Sequence, residues 1–293
     1  MAVCELFIGI TTWNSERLLP TCLDAILRNC RGTDYRICVV DNASEDESVS
    51  IAKAAGAQVL VRQCTQQQAL NALIRRSRGY FTLLLHADVV LLDEGWFDVC
   101  RRHIGNGVVL VSPEDIGCGP LTRPFGAGKP ESSFLLFETE GLRRCLKRRW
   151  HGLIPKLELD LSGSHLTHDI PTLLAKHQLR WKPMNVYPSN RTPERLYTSK
   201  ERPPIWSDEL AYLRYGLGNF YGLGNIITHY HNWYERAVTP HSSRHQGKLL
   251  SKQKREFPSD FIDQYTQRFL DDYAANAVDL PADLTLQRIP KAL

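Results

Sequence analysis

Apolar residues in the first ninety positions fall into short unbroken runs, separated by stretches where they recur every three or four residues. The runs Cys4–Ile10, Tyr35–Val40, Gln58–Val61 and Tyr80–Leu85 predict buried strands. Between the first two, Leu18, Leu19, Cys22, Leu23, Ile26, Leu27 and Cys30 make one helical face. Asn14 or Ser15 is the expected N-cap of that helix, and Gly32 its stop. Ser44-Glu45-Asp46-Glu47 has the form of a capping box and predicts a helix to about Gly56. Ala69, Leu70, Leu73 and Ile74 share a face in a third helix over Gln66–Arg78, which Gly79 ends. Strands separated by single helices predict an α/β sheet with parallel pairing through right-handed crossovers. Ligands of such sheets bind beyond the carboxyl ends of the strands. Three places therefore call for inspection: Thr11-Thr12-Trp13-Asn14, Asp41-Asn42-Ala43-Ser44 and His86-Ala87-Asp88.

Beyond residue 105 the pattern loosens. Val108–Val111 and Phe134–Phe137 predict strands, and Gly117–Pro130, rich in glycine and proline, predicts a loop. His168–Leu179 reads as a helix with Pro171 near its start, and Tyr187–Pro204 as irregular. Helical periodicity returns between about Gln246 and Ala277.

The chain has 293 residues, 43% hydrophobic and 23% charged, which is ample material for one large core. Its formal charge of +4 suits an anionic small molecule or an anionic membrane surface, and is too weak to point to nucleic acid. All eight cysteines fall at or before Cys145 without a C-x-x-C pair, which argues against a zinc site and for reduced thiols in the cytoplasm. The opening MAVCELFIGITTWN lacks a basic start and a long apolar core, so no signal peptide is expected. The uncharged stretch from Tyr215 to Tyr234 has the length of a membrane span. Its glycines, asparagines and histidines make insertion costly, and a buried segment is the expectation.

Asp88 is a lone carboxylate between two apolar runs, which requires a hydrogen bond, an ion partner, a metal or water at the strand edge. Asp41 directly follows Val39-Val40, where a carboxylate can bridge ribose hydroxyls or a base N–H, or else bond the local turn. Trp13 can stack on a base or plug the core, and Thr11 or Thr12 can bond a base edge or ribose.

Together, a strand ending in T-T-W-N, a second in V-V-D-N-A-S and a fourth in H-A-D resemble the inverting GT-A glycosyltransferases of family 2. ALNALIRRSRGYFTLLLHAD has the cadence of that family's A-R-N-x-G-x-x-x-A-x-G-x-Y-x-x-x-L-D-x-D, with Asn71, Gly79 and Tyr80 in register. The likeness is strong over residues 3–100 and continues faintly to about 240. It implies a GT-A-type, Rossmann-like open mixed sheet flanked by helices over residues 1–240. Residues 1–105 would be the nucleotide-sugar half, 106–240 the acceptor half, and 241–293 a helical C-terminal extension. It implies that Thr11, Thr12, Trp13, Asn14, Asp41, Asn71, His86, Ala87 and Asp88 line a nucleotide-sugar site. Trp13 and Thr11 would hold the base, Asp41 the base or ribose, and Asp88 a divalent cation, Mn2+ or Mg2+, on the donor diphosphate. His86 stands where the family has the first acid of D-x-D.

LTHDIPTLLAKHQLRW resembles the family segment in which a carboxylate at a helix start lies below the acceptor, which makes Asp169 the general base. A carboxylate there also meets the positive end of the helix. In THYHNWYER, His229 or His231 would complete the cation site, His231 being favoured. The implied activity is transfer of a sugar, from a UDP-sugar first or else a GDP- or dTDP-sugar, to a glycan, lipid-linked or small-molecule acceptor in polysaccharide biosynthesis. Two other readings remain open: a nucleotide-sugar-binding protein with weakened catalysis, and a sugar nucleotidyltransferase. The latter needs a basic, glycine-rich loop after the first strand, which TTWNSERL is not. GLRRCLKRRWHGL, residues 141–153, reads as a solvated basic helix or as a peripheral contact with an anionic membrane. The GLGNFYGLGN repeat at residues 216–225 does not follow the pattern of a phosphate loop.

Overall fold

The computed structural model describes residues 4–115, 129–146, 167, 170–188, 215, 219–224, 226–231 and 259–280. The expected alternation holds at the N-terminal end: β1 (Cys4–Thr12), α1 (Leu19–Asn29), β2 (Tyr35–Asp41), α2 (Ser48–Ala54), β3 (Gln58–Val61), α3 (Gln66–Arg76) and β4 (Gly79–His86). Then come β5 (Val89–Leu91), α4 (Trp96–Arg101), β6 (Val108–Asp115), β7 (Lys129–Pro130), β8 (Phe134–Glu138) and α5 (Thr139–Leu146). α6 (Ile170–Lys176), β9 (Arg180–Pro188), β10 (Asn219–Leu223), β11 (Ile226–His231) and α7 (Ser259–Ala274) complete the described elements.

The strands form one open sheet in the order β3-β2-β1-β4-β8-β6-β9-β10-β11-β5, with β7 paired to β6. β3, β2, β1 and β4 are parallel, β8 runs against both β4 and β6, and β9 is parallel to β6. This is the mixed α/β sheet that the family resemblance implies.

Parallel strands covered on both faces must be apolar on both, which is why these runs do not alternate with polar residues. Leu6, Ile8, Ile10, Ile37, Val39, Leu83 and Leu85 pack with α1, Ala52 of α2, Trp96 of α4 and Phe269 of α7. Phe7, Cys38, Val40 and Leu84 turn the other way onto α3, with Leu142 of α5 and Leu174 of α6. The α3 face meets β1 at Gly9, where a Cβ would lie 2.9 Å from Leu84 Cδ2 and 3.1 Å from Leu73 Cβ.

Gly79 is tighter still: a Cβ there would come within 2.5 Å of the Phe81 carbonyl oxygen and 2.6 Å of the Phe7 backbone nitrogen. Backbone atoms of paired strands cannot swing aside as a side-chain tip can. Gly79→Ala is therefore expected to cost about 2–3 kcal/mol, the upper part of the range for overpacking, read as a lowered urea midpoint at unchanged slope.

Several boundaries differ from expectation. α1 begins at Leu19, whose N–H donates to the Ser15 carbonyl at 2.9 Å, and neither Asn14 nor Ser15 caps it by side chain. Ser44 does not open α2, which starts at Ser48 without a side-chain cap, because Asp41 claims that serine. The capping box that does form is Thr65 with Gln68, at the head of α3. β5, β7 and β9 were not anticipated as strands, nor α4 as a helix. The uncharged 215–234 stretch supplies β10 and β11, with Phe220, Tyr221 and Leu223 buried. Among the described residues no helix is long and apolar enough to cross a membrane.

α7 lies across α1. Phe269 is fully buried, its ring 5.3 Å from that of Tyr215 in an edge-to-face contact. The Tyr273 hydroxyl donates to Asp24 at 3.2 Å, and the Arg28 guanidinium sits 5.6 Å above the Tyr273 ring. Tyr215 donates to Asp272 at 2.8 Å and accepts from the Asp279 N–H at 2.6 Å.

Candidate functional site

The carboxyl ends of β1, β2 and β4 lie side by side. Thr12 is in register with Asp41, and Thr11 with His86. The ladders run one residue past the strands, with the Asn42 N–H on the Thr12 carbonyl at 2.9 Å and the Ala87 N–H on the Thr11 carbonyl at 3.1 Å. Residues scattered over eighty positions thus meet on one edge.

Asp41 is fully buried and bound to its own turn: Oδ1 accepts the Ser44 N–H at 2.8 Å, and Oδ2 the Ser44 hydroxyl at 2.5 Å. Ser44 Oγ in turn accepts the Asn14 N–H at 2.8 Å, and Asn14 Oδ1 accepts the Glu45 N–H at 2.9 Å. The Ser15 N–H donates to Ser48 Oγ at 2.8 Å, and the Glu16 N–H to Asp46 at 3.0 Å. These contacts lace the loop after β1 to the loop after β2 and hold half-buried Trp13 between Thr12 and Asn14. Asn14 (φ 45°) and Ala43 (φ 54°) adopt the left-handed region on these facing loops. Asparagine tolerates it, whereas alanine pays about 1–2 kcal/mol.

Thr12 Oγ1 at the end of β1 and Asn71 Oδ1 on α3 are buried and find no hydrogen-bond partner among the described residues. A buried polar atom left so costs about 1–3 kcal/mol, a cost that a bound polar ligand would remove.

His86, the last residue of β4, and Asp88 just beyond it are each only 7% exposed. Gln66, the first residue of α3, reaches His86 Nε2 with its side-chain amide. The His86 N–H donates to the Ser133 carbonyl at 3.1 Å, and the Cys22 thiol of α1 lies 4.0 Å from the His86 carbonyl oxygen. Burial pushes the Cys22 thiol far up, and the neighbouring Asp88 carboxylate raises it further. Cys22, 4.0 Å from the His86 carbonyl, is thereby kept neutral. Cys4, Cys22, Cys30, Cys38, Cys64 and Cys100 are free thiols; burial alone pushes Cys100 up to about 12.

Asp88 runs straight into β5, whose Val89 pairs with His231 and Leu91 with His229 across the antiparallel β11. By backbone register, position 231 is the nearer of the two to Asp88. Among the described residues no group of three His, Cys, Asp or Glu side chains could hold a metal ion. A buried carboxylate at a strand end does fit a small hard cation that arrives on a diphosphate, because Mg2+ takes one or two carboxylates and fills its shell with phosphate and water oxygens.

Asp169 lies outside the described residues, as do the side chains of His229 and His231. Its flanks are described: Thr167 is buried, donates its hydroxyl to the Pro130 carbonyl, and accepts the Ile170 N–H at 3.1 Å. Sequence reasoning missed Gln66 and Glu131. A glutamine behind a Thr cap at a strand-to-helix turn was the only signal for the first. A charge directly before the Ser-Ser-Phe-Leu-Leu-Phe run was the only one for the second.

The model of glycosyl transferase family 2 matches residues 7–154, half of the chain. The chain belongs to glycosyltransferase family 2. In this family 2 glycosyltransferase the matched span takes in all three strand ends and Gln66, and stops short of Asp169 and β11. A PGL/p-HBAD biosynthesis glycosyltransferase of Mycobacterium bovis is 33% identical over 100 residues, 32% of this chain and 39% of that protein. The chain thus spans under two-fifths of the length of the curated relatives it matches; a Mycobacterium tuberculosis protein of the same name matches equally. Glucosyl-3-phosphoglycerate synthase from M. tuberculosis, solved with Mn2+, UDP and glucosyl-3-phosphoglycerate, overlays with a TM-score of 0.38 at 15% identity, over 47% of this chain and 58% of that one. S. aureus TarS 1-349 overlays with a TM-score of 0.37 at 14% identity, over 48% of each chain. Likenesses this distant say nothing of substrate.

Proposed function

We propose that this family 2 glycosyltransferase moves a sugar from a nucleoside diphosphate donor to an acceptor hydroxyl with inversion, assisted by a divalent cation. The observation that carries the proposal is the single edge on which Thr12, Asp41, Thr11 and His86 stand in register. Trp13 offers a face for the base, and Asp41, fixed by Ser44, an acceptor for base or ribose. The orphaned Thr12 Oγ1 and Asn71 Oδ1 are further contacts for the donor. Ala87 keeps the backbone between His86 and Asp88 close to β1. Asp88 would hold Mn2+ or Mg2+ with His231, or with His229. When bound, the cation neutralises charge on the departing diphosphate.

The chain's own groups do the rest. The acceptor oxygen forms its bond to the anomeric carbon as the bond to the diphosphate oxygen breaks, and the electron pair leaves with the nucleoside diphosphate. Asp169 takes the acceptor proton. His86, held at Nε2 by Gln66, stands beside the donor at the end of β4. Residues 1–105 serve the donor, 106–240 the acceptor and 241–293 form the extension. The acceptor is a glycan, a lipid-linked molecule or a small molecule, met in the cytoplasm or at the membrane face by the basic 141–153 segment.

His86 in the place of an acid supports a second reading, nucleotide-sugar binding without transfer. One experiment separates the two. UDP-, GDP- and dTDP-sugars are offered with Mn2+ or Mg2+ and simple acceptors, and product anomers are read by NMR. Release of nucleoside diphosphate with an inverted anomer is expected. Binding with no turnover for any donor would favour the second reading, and a retained anomer would refute inversion.

A further inference from the structure

β4 and β8 pair antiparallel as far as Leu85 with Phe134. One more pair would normally exchange two backbone bonds. Only one of these forms, from the His86 N–H to the Ser133 carbonyl at 3.1 Å. The Ser133 N–H turns instead to Glu131 Oε2 at 2.7 Å, and the Ser133 hydroxyl donates to the same oxygen. The His86 carbonyl, which that N–H would have met, faces the Cys22 thiol.

Glu131 is 5% exposed, and its backbone is held on both sides. Its N–H donates to the Pro113 carbonyl at 2.8 Å, and its carbonyl accepts the Ser112 hydroxyl at 3.0 Å. The preceding carbonyl, that of Pro130, accepts the Thr167 hydroxyl. Residues 130–133 therefore touch the end of β4 at one side and Thr167, two positions before Asp169 in the sequence, at the other.

We propose that Glu131 is a positioning residue: acting through Ser133, it ends the β4/β8 ladder at His86 and fixes the spacing between the donor end of the site and the stretch bearing Asp169. A strand that kept pairing past His86 would draw the residues after it toward β8 and strain the bond from the Ala87 N–H to the Thr11 carbonyl. What the brace needs from residue 131 is an acceptor oxygen at full glutamate reach. The two bonds from Ser133 ask only for an acceptor, which a glutamine amide oxygen also supplies.

The kinetic consequence rests on the sugar transfer proposed above, and the backbone consequence does not. Glu131→Gln keeps the reach and removes the charge; Glu131→Asp keeps the charge one methylene short. In hydrogen exchange of the ligand-free protein, the Gln variant is expected to match wild type over residues 84–88 and 130–135. The Asp variant is expected to exchange on the order of tenfold faster there, with residues 37–61 unchanged as the internal control. In transfer assays the Asp variant should lose on the order of 100-fold in kcat at a donor KM within about threefold of wild type, and the Gln variant should stay within about threefold in both. The opposite order, Gln impaired and Asp intact, would assign Glu131 a charge-dependent role and overturn the brace. Equal exchange in all three proteins would overturn it as well. A wild-type protein that transfers no sugar would defeat the proposed function alone, since exchange still tests the brace.

Discussion

Asp88→Ala is expected to abolish Mn2+-dependent binding of nucleoside diphosphate and to lower transfer by on the order of 100- to 1000-fold. The size follows from what a cation at a departing diphosphate is worth, several kcal/mol of charge stabilisation in a site shielded from water. Asp88 is 7% exposed and sits at a strand end beside α1. Asp88→Asn, which preserves volume, therefore belongs beside the alanine variant. Calorimetric titration of UDP with and without Mn2+ reads the effect directly. Nucleotide affinity that still rises with Mn2+ in both variants would remove Asp88 from the cation site. Because Asp88 is also a cause of the raised Cys22 thiol, its neutralisation should let that thiol fall part of the way back, with burial still holding it up.

Asp169→Asn is expected to leave donor binding intact and to cut kcat by on the order of 100- to 10,000-fold, the usual contribution of a positioned general base. The asparagine keeps the shape and any hydrogen bond to the acceptor hydroxyl, but takes no proton. Donor affinity measured alongside separates a lost base from a disturbed site. A kcat within a few-fold of wild type would show that the proton goes elsewhere.

The parallel half of the sheet was legible because its signals are local. Runs such as Leu6–Ile10 and Leu83–Leu85 are apolar on both faces, and the α1 and α3 faces repeat within a dozen residues. Strand ends then located Thr11, Thr12, Asp41, His86 and Asp88 without knowledge of any contact. β5 was not legible, since three residues carry no period and the partner strand β11 lies some 140 positions on. β9 was hidden by Pro183 and Pro188, which lower strand propensity yet stand within it. Ser44 misled for a different reason. Its sequence suits a helix cap, and the competing acceptor, Asp41, is just three residues before it. Gln66 and Glu131 act through residues 20 and two positions away, respectively, and only the folded sheet shows what those neighbours touch.

The packing of α7 on α1 also sets an order of events during synthesis. Asp24 and Tyr273 are 249 positions apart, so the face of α1 that Phe269 and Tyr273 cover stays bare until α7 has left the ribosome. The parallel end of the sheet can assemble early from close neighbours in the chain, whereas closure over α1 must await α7 and pays a large loop entropy. A chain halted before residue 259 would carry most of the strand ends described above and an uncovered apolar patch beside them. For such a nascent chain the hazard is sticking to its neighbours, not failing to form its site.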